Sequence, residues 1–179
     1  MARRTLAEHR TGRPGSDQSV QIALLGPLVI TRDGQSIEVT GPKRRALLTF
    51  LALHLDSPVG RDEIIEAIWP KRQTGREEST LRVHVSHLRD ELESDRADEP
   101  KILLTQGQAY LLSGHTVGLD TRNFDDLTRE ARSHLESDPD VALELLDEAL
   151  ALWRGRPLQD VEYEEFSQES IRSLEQAPG

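Results

Sequence analysis

EESTLRVHVSHLRDELE, residues 77–93, is the stretch on which the fold turns. Leu81, Val85, Leu88 and Leu92 recur at steps of four, three and four, the spacing of one buried helix face. On the side away from that stripe lie Ser79, Val83, Ser86, His87 and Asp90, flanked by Thr80, Arg82, His84 and Arg89. The segment reads as a helix anchored along one stripe and showing polar and cationic side chains on the other.

Working outward, a polar loop, Lys71–Arg76, precedes this helix, and before it Ile64, Ile65 and Ile68 mark a shorter helix. Gly60 caps that helix, Asp62 and Glu63 suit its first turn, and Trp69-Pro70 ends it. Further upstream, Gly41-Pro42 opens a helix over Lys43–Leu55, which Asp56-Ser57-Pro58 stops. Its Leu47, Leu48, Phe50, Leu51, Leu53 and Leu55 leave little polar surface, so it belongs in the centre of a core. The N-terminal part predicts strands at Ile22–Leu25 and Leu28–Ile30, broken by Gly26-Pro27, and a third at Ile37–Val39 after the turn Arg32-Asp33-Gly34-Gln35. Downstream, past a polar linker, Ser94–Pro100, Ile102–Thr105 and Tyr110–Leu112 bracket Gln106–Ala109 as a terminal hairpin. The expected fold is an α+β winged helix over residues 20–114: a small N-terminal antiparallel sheet, three helices and a C-terminal β-hairpin wing.

Residues 115–179 read as all-helical. Phe124, Leu127, Ala131 and Leu135 mark one helix, and Pro139 starts another. The second carries two apolar stripes, Ala142/Leu145/Ala149/Leu152 and Leu143/Leu146/Leu150/Trp153, which predicts a helix sandwiched between neighbours. A third follows Pro157, with Tyr163, Phe166, Ile171 and Leu174 available to pack. Ala142, Leu146 and Ala149 partly match the second helix of a tetratricopeptide repeat.

Charge divides the chain in the same place. The 179 residues hold 22 Lys+Arg and 32 Asp+Glu, a net charge of −10. Residues 43–92 sum to +1 and residues 114–179 to −10, so the acid belongs to the helical part and does not argue against nucleic acid at the front. Residues 1–19, with four arginines and no apolar core, read as a disordered basic tail. The absence of cysteine excludes disulfides, thiolate metal sites and cysteine nucleophiles. No apolar run reaches the roughly 20 residues that span a bilayer, and a cytoplasmic protein is expected. His84 and His87 lack a third ligand of suitable spacing, and neither a nucleophile elbow nor a phosphate-binding glycine loop occurs. No metal, no cofactor and no enzymatic activity are expected.

The quoted helix has what DNA binding needs: cations near phosphates, side chains able to reach base edges, and a shape that fits the major groove. GPKRRALLTFLALHLDSPVGRDEIIEAIW (41–69), ESTLRVHVSHLRDEL (78–92) and LLTQGQAYLL (103–112) together resemble an OmpR-type winged-helix DNA-binding domain. NFDDL (123–127) and ALELLDEALALWRGRPLQDV (142–161) resemble the start of the bacterial transcriptional activation domain. In this order the two are the mark of the SARP family, the Streptomyces antibiotic regulatory proteins.

The resemblance implies a sequence-specific, double-stranded-DNA-binding transcriptional regulator, an activator on promoter direct repeats that recruits RNA polymerase, with a homodimer on DNA possible. It implies base reading by Arg82, Val83 and His87, and phosphate contact by Trp69, Thr80, His84, Ser86 and Arg89, with Arg61 adding positive charge. Val83, exposed among polar residues, suits a thymine methyl, and Arg82 a guanine. In the family the loop carrying Lys71, Arg72 and Arg76 meets RNA polymerase or phosphate. The wing, Gln106, Gly107, Gln108 and Tyr110, departs from the family: its tip carries no charge, and Ala109 stands where glycine is usual. The helical domain is shorter than in the family, and no receiver domain is expected ahead of the winged helix. Two alternatives stand beside the activator: a DNA-binding competitor without activation, and a protein-interaction adaptor whose winged helix does not bind DNA.

Overall fold

The computed structural model describes residues 20–71, 75–93 and 100–176. The expected basic tail, Arg72 and residues 94–99 of the linker lie outside the described residues.

Three strands, β1 (Val20–Ala23), β2 (Val29–Arg32) and β3 (Gln35–Ile37), form an antiparallel meander. The β2–β3 turn is Asp33-Gly34, both at positive φ (50° and 79°), which lets Arg32 pair with Gln35 and starts β3 directly after the turn. The third strand therefore lies two residues earlier than expected. The first strand ends at Ala23, not Leu25, because the Leu24 and Leu25 backbone groups bond elsewhere, as described below.

Helix α1 (Pro42–Leu53) has proline in its first turn and buries every residue from Ala46 to Ala52. A two-residue strand, β4 (Val59–Gly60), leads into α2 (Arg61–Ile68), and α3 spans Glu77–Leu92. Strands β5 (Leu103–Gln106) and β6 (Ala109–Leu112) make the hairpin, and β4 pairs with β6 to extend it to three strands in the order β4-β6-β5. The three helices and both sheets share one core, with Leu47, Leu48, Ile64, Ile68, Leu81, Leu88, Leu92, Leu103 and Leu112 all fully buried.

The helical part opens on a strand, β7 (Val117–Leu119), which a reading of residues 115–179 as all-helical misses. It lies parallel to β1 and completes a sheet of order β3-β2-β1-β7. Helices α4 (Asp120–His134) and α5 (Pro139–Ala151) form a hairpin; Asp138 caps α5 by accepting from the Val141 amide at 3.3 Å. Two short 3-10 turns, Gln159–Val161 and Glu165–Ser167, lead to α6 (Gln168–Gln176).

The sandwiched helix is not observed among the described residues. Ala142, Leu145 and Ala149 are buried against α4, but Leu143 and Leu150 on the other stripe stand exposed, as do Leu135 and Tyr163. The reason is the path of α6. Leu174 turns toward the Leu25–Phe124–Ala149 cluster and the winged-helix core, away from the outer face of α5.

The junction between the two parts is dense. The Leu24 and Leu25 amides donate to Asp120 Oδ1 and Oδ2 at 2.7 and 2.9 Å. Their carbonyls accept from the Leu158 and Arg154 amides at 2.8 and 2.7 Å. Gly26, at φ 145°, is where the chain passes Arg154: a Cβ there would lie 3.1 Å from the Arg154 backbone. Arg45 pairs with Asp160, Lys43 with Glu164 at 3.3 Å, and Arg122 with Asp56 at 3.0 Å.

Candidate nucleic-acid interface

Helix α3 is held from behind by its apolar stripe: Leu81, Val85, Leu88 and Leu92 are buried. Its C-terminal carbonyls are capped by Arg32, which donates to Leu92 O at 3.1 Å. Arg44 of α1 pairs with Glu91 and fixes the same end. With the helix so clamped, its free face carries Arg82, Val83, Ser86 and His87, all exposed. Val83 is 52% exposed.

The cations around this face are partly engaged by the protein itself. Arg82 donates to Glu78 Oε1 at 2.6 Å, one turn back, and the same oxygen lies 3.6 Å from Arg61 Nη1. Arg61 is tied to the wing twice: its amide donates to Gln108 O at 3.0 Å, and its guanidinium to Gln108 Oε1 at 2.6 Å. The same guanidinium lies over the ring of Tyr110, 5.6 Å from its centroid. Tyr110 is buried, so of the wing residues Gln106, Gly107 and Gln108 reach solvent and Tyr110 forms part of the floor. The hairpin turn is Gly107-Gln108, with Gly107 at φ 59°. Arg89 donates to Leu103 O at 2.8 Å and to Thr105 Oγ1 at 2.7 Å, and so bolts α3 to β5.

Trp69 and His84 stack with centroids 5.8 Å apart and planes 8° from parallel. Burial holds the His84 imidazolium form below the usual histidine range, and the charges of Arg44 and His87 push in the same direction. The His84 Nδ1 is buried without a hydrogen-bond partner among the described residues. The Thr80 and Ser79 hydroxyls bond to Arg76 O at 3.0 and 2.8 Å, within the helix start. Lys71 and Arg76 are exposed beside it, and Arg72 lies outside the described residues.

The structure thus brings Arg82, Val83, Ser86 and His87 together on one open face, with Trp69, Thr80 and His84 along one border and Arg61, Arg89 and the wing along the other. Sequence reasoning missed the residues that position this face: Arg32, Arg44, Glu78 and Glu91. Arg32 stood in a turn signal and the carboxylates in a charged helix, and only tertiary contact reveals their roles.

Two family models match the chain. Residues 34–112 match the family described as transcriptional regulatory protein, C terminal, and residues 119–178 the bacterial transcriptional activator domain. The transcriptional regulatory protein MoaR1 of Mycobacterium tuberculosis is 30% identical over 174 residues, covering 93% of this chain and 55% of that protein. The regulatory protein AfsR of Streptomyces coelicolor is 29% identical over 159 residues, covering 86% of this chain and 15% of that protein. Among solved structures, Mycobacterium tuberculosis EmbR in complex with a low-affinity phosphopeptide superposes with a TM-score of 0.80 at 26% identity, over 90% of this chain and 43% of that one. The chain therefore spans about half the length of MoaR1 and a smaller share of the other two.

Proposed function

The chain belongs to the SARP family of non-enzymatic transcriptional regulators, a winged helix followed by a bacterial transcriptional activator domain, and from this we propose that it binds double-stranded DNA through α3 and regulates transcription. One observation carries the reading: a helix with a fully buried stripe presents Arg82, Val83, Ser86 and His87 on a face exposed among the described residues. In this reading α3 lies in the major groove, Arg82 bonds a guanine edge, Val83 meets a thymine methyl, and His87 reads an adjacent base. Thr80, Ser86, Trp69 and the loop cations Lys71 and Arg76 contact the phosphate backbone or, in the case of the loop, RNA polymerase. Promoter direct repeats would seat two copies side by side, and activation would follow from polymerase recruitment. The acidic helical part is repelled by the duplex and so faces away from it.

A specific observation also favours a second reading, a protein-interaction adaptor: Arg61, Arg82 and Arg89 each have partners within the protein. Binding of duplexes with and without a direct repeat, titrated at several salt concentrations, separates the two. A DNA reader prefers the repeat, and its log affinity falls linearly with log salt. Absence of binding to repeat-containing promoter DNA at low salt would overturn the DNA-reader reading and leave the adaptor. A reporter driven by the bound promoter then distinguishes activation from simple occupancy.

A further inference from the structure

We infer that Lys43 is a positioning residue through which the helical part steadies the Trp69 border of the α3 face; the inference rests on that face being the DNA reader. Pro70 bars Trp69 from continuing α2, and Trp69 leaves the helix at φ −129°, ψ 66°. Its ring nevertheless stacks on His84 of α3. What aims it is the peptide group joining Ile68 to Trp69, a rigid plane held on both sides. The Trp69 amide donates to Ile65 O at 2.8 Å, and the Ile68 carbonyl accepts from Lys43 Nζ at 2.7 Å. Helices often meet their last carbonyls with a cation of their own last turn, but α2 has none there. The cation comes from the first turn of α1 instead.

Glu164 of the helical part sets that cation: its Oε1 accepts from Lys43 Nζ at 3.3 Å. The Glu164 main chain is itself fixed. Its amide donates to Val161 O at 2.9 Å, and its carbonyl accepts from the hydroxyl of fully buried Ser167 at 2.8 Å. Two residues on, Phe166 meets Phe50 of α1 edge-on at 5.1 Å. A lysine is a point charge on a flexible stem, and here a carboxylate and a carbonyl direct two of its three donors. A half-buried pair of this kind adds little stability by itself. Its effect is one of direction, along a continuous line of contact from Glu164 through Lys43 and the Ile68–Trp69 peptide to His84.

The test uses the full chain and two readouts. The first needs no DNA: the ring current of the stacked Trp69 displaces the His84 ring protons in NMR spectra. Lys43→Met and Glu164→Gln should move them toward the unstacked position, and Lys43→Arg should restore them. Glu165→Gln, the same charge change at the exposed next residue, should leave them in place. The second readout is affinity for a repeat-containing duplex at several salt concentrations. Lys43→Met and Glu164→Gln should each weaken binding about three- to tenfold, as loss of a hydrogen bond does. The salt slope should not change, because no phosphate contact is lost. A Lys43 that touched phosphate would behave oppositely: its loss would shallow the slope by about one, and removal of the Glu164 charge would tighten binding. Either of those results, or His84 protons unmoved in both variants, would overturn the proposal. A wild type that binds no duplex would sink the DNA reading, and the His84 shift would then decide the positioning role alone.

Discussion

At the scale of single residues, the candidate interface depends on which side chains are free to act. Arg82 is exposed but held by Glu78, so reaching a base means exchanging one carboxylate for a base edge. An exposed i, i+4 pair is worth only about 0.3–0.5 kcal/mol, and a bidentate guanine contact about 1–3 kcal/mol, so the exchange favours DNA. Arg82→Ala should therefore relax base preference at one position, whereas Glu78→Gln should tighten binding to all sequences by a few-fold. Competition titrations on single-base operator variants measure both. His84 makes a second test. Its folded-state pKa lies below the unfolded one, so its contribution to stability is present above the ordinary histidine value of about 6.5 and is lost as pH falls toward the folded value. The groups facing it are Arg44 on α1 and His87 on its own helix, both of which oppose a further positive charge. The thermal midpoint should drop between pH 7 and pH 5.5, and His84→Gln should remove the part of that slope due to this ring.

At the scale of elements, the buried stripe of α3, the all-round apolar α1 and the Asp33-Gly34 turn were legible because each rests on local periodicity or a required φ. What was not legible depends on partners distant in sequence. Strand β4 has two residues and no pattern of its own; it exists because Val59 and Gly60 find Tyr110 and Ala109. Strand β7 is similar, three buried residues that become a strand by pairing with β1, their one strand partner among the described residues. The candidate site shows the same division. Its exposed face followed from helical spacing, while the tasks of Arg61 and Arg89 within the wing did not, because a cation on a helix does not announce whether phosphate or a carbonyl will take it. Arg89 carries the corresponding prediction. With both bonds reaching β5, Arg89→Ala should loosen the hairpin and cost about 1–2 kcal/mol in stability, as loss of charge-assisted hydrogen bonds does. Amide exchange of the Leu103–Leu112 hairpin should accelerate in that variant, and Arg89→Lys, which cannot span both acceptors, should rescue it only in part.

At the scale of the whole molecule, the question is whether the reader and the helical part move as one body. Asp120 is the strongest reason to expect that they do. It is buried at the start of α4 and accepts two main-chain amides from the end of β1, with Arg154 3.6 Å away. Burial pushes its carboxyl above the usual carboxylate range, against the pull of the Leu24 and Leu25 amides, Arg154 and Thr121. The carboxylate is thus desolvated at a real cost, and what the fold gains is saturation of two buried donors that no ladder partner serves. Removing it leaves the Leu24 and Leu25 amides without their acceptor. Asp120→Ala should cost about 2–4 kcal/mol, with part of the loss offset by relief of the buried charge. For a chain of this size that corresponds to a fall of roughly 5–12 °C in the melting midpoint. Asp120→Asn should fall between, since one amide oxygen can still accept while its NH2 faces a donor. If the two parts are coupled through this residue, wild type melts in one transition and Asp120→Ala separates into two, the earlier one accompanied by proteolysis near His115. A single, equally cooperative transition in the variant would mean that the sheet pairing of β1 with β7 and the Arg45–Asp160 and Lys43–Glu164 pairs hold the junction without Asp120.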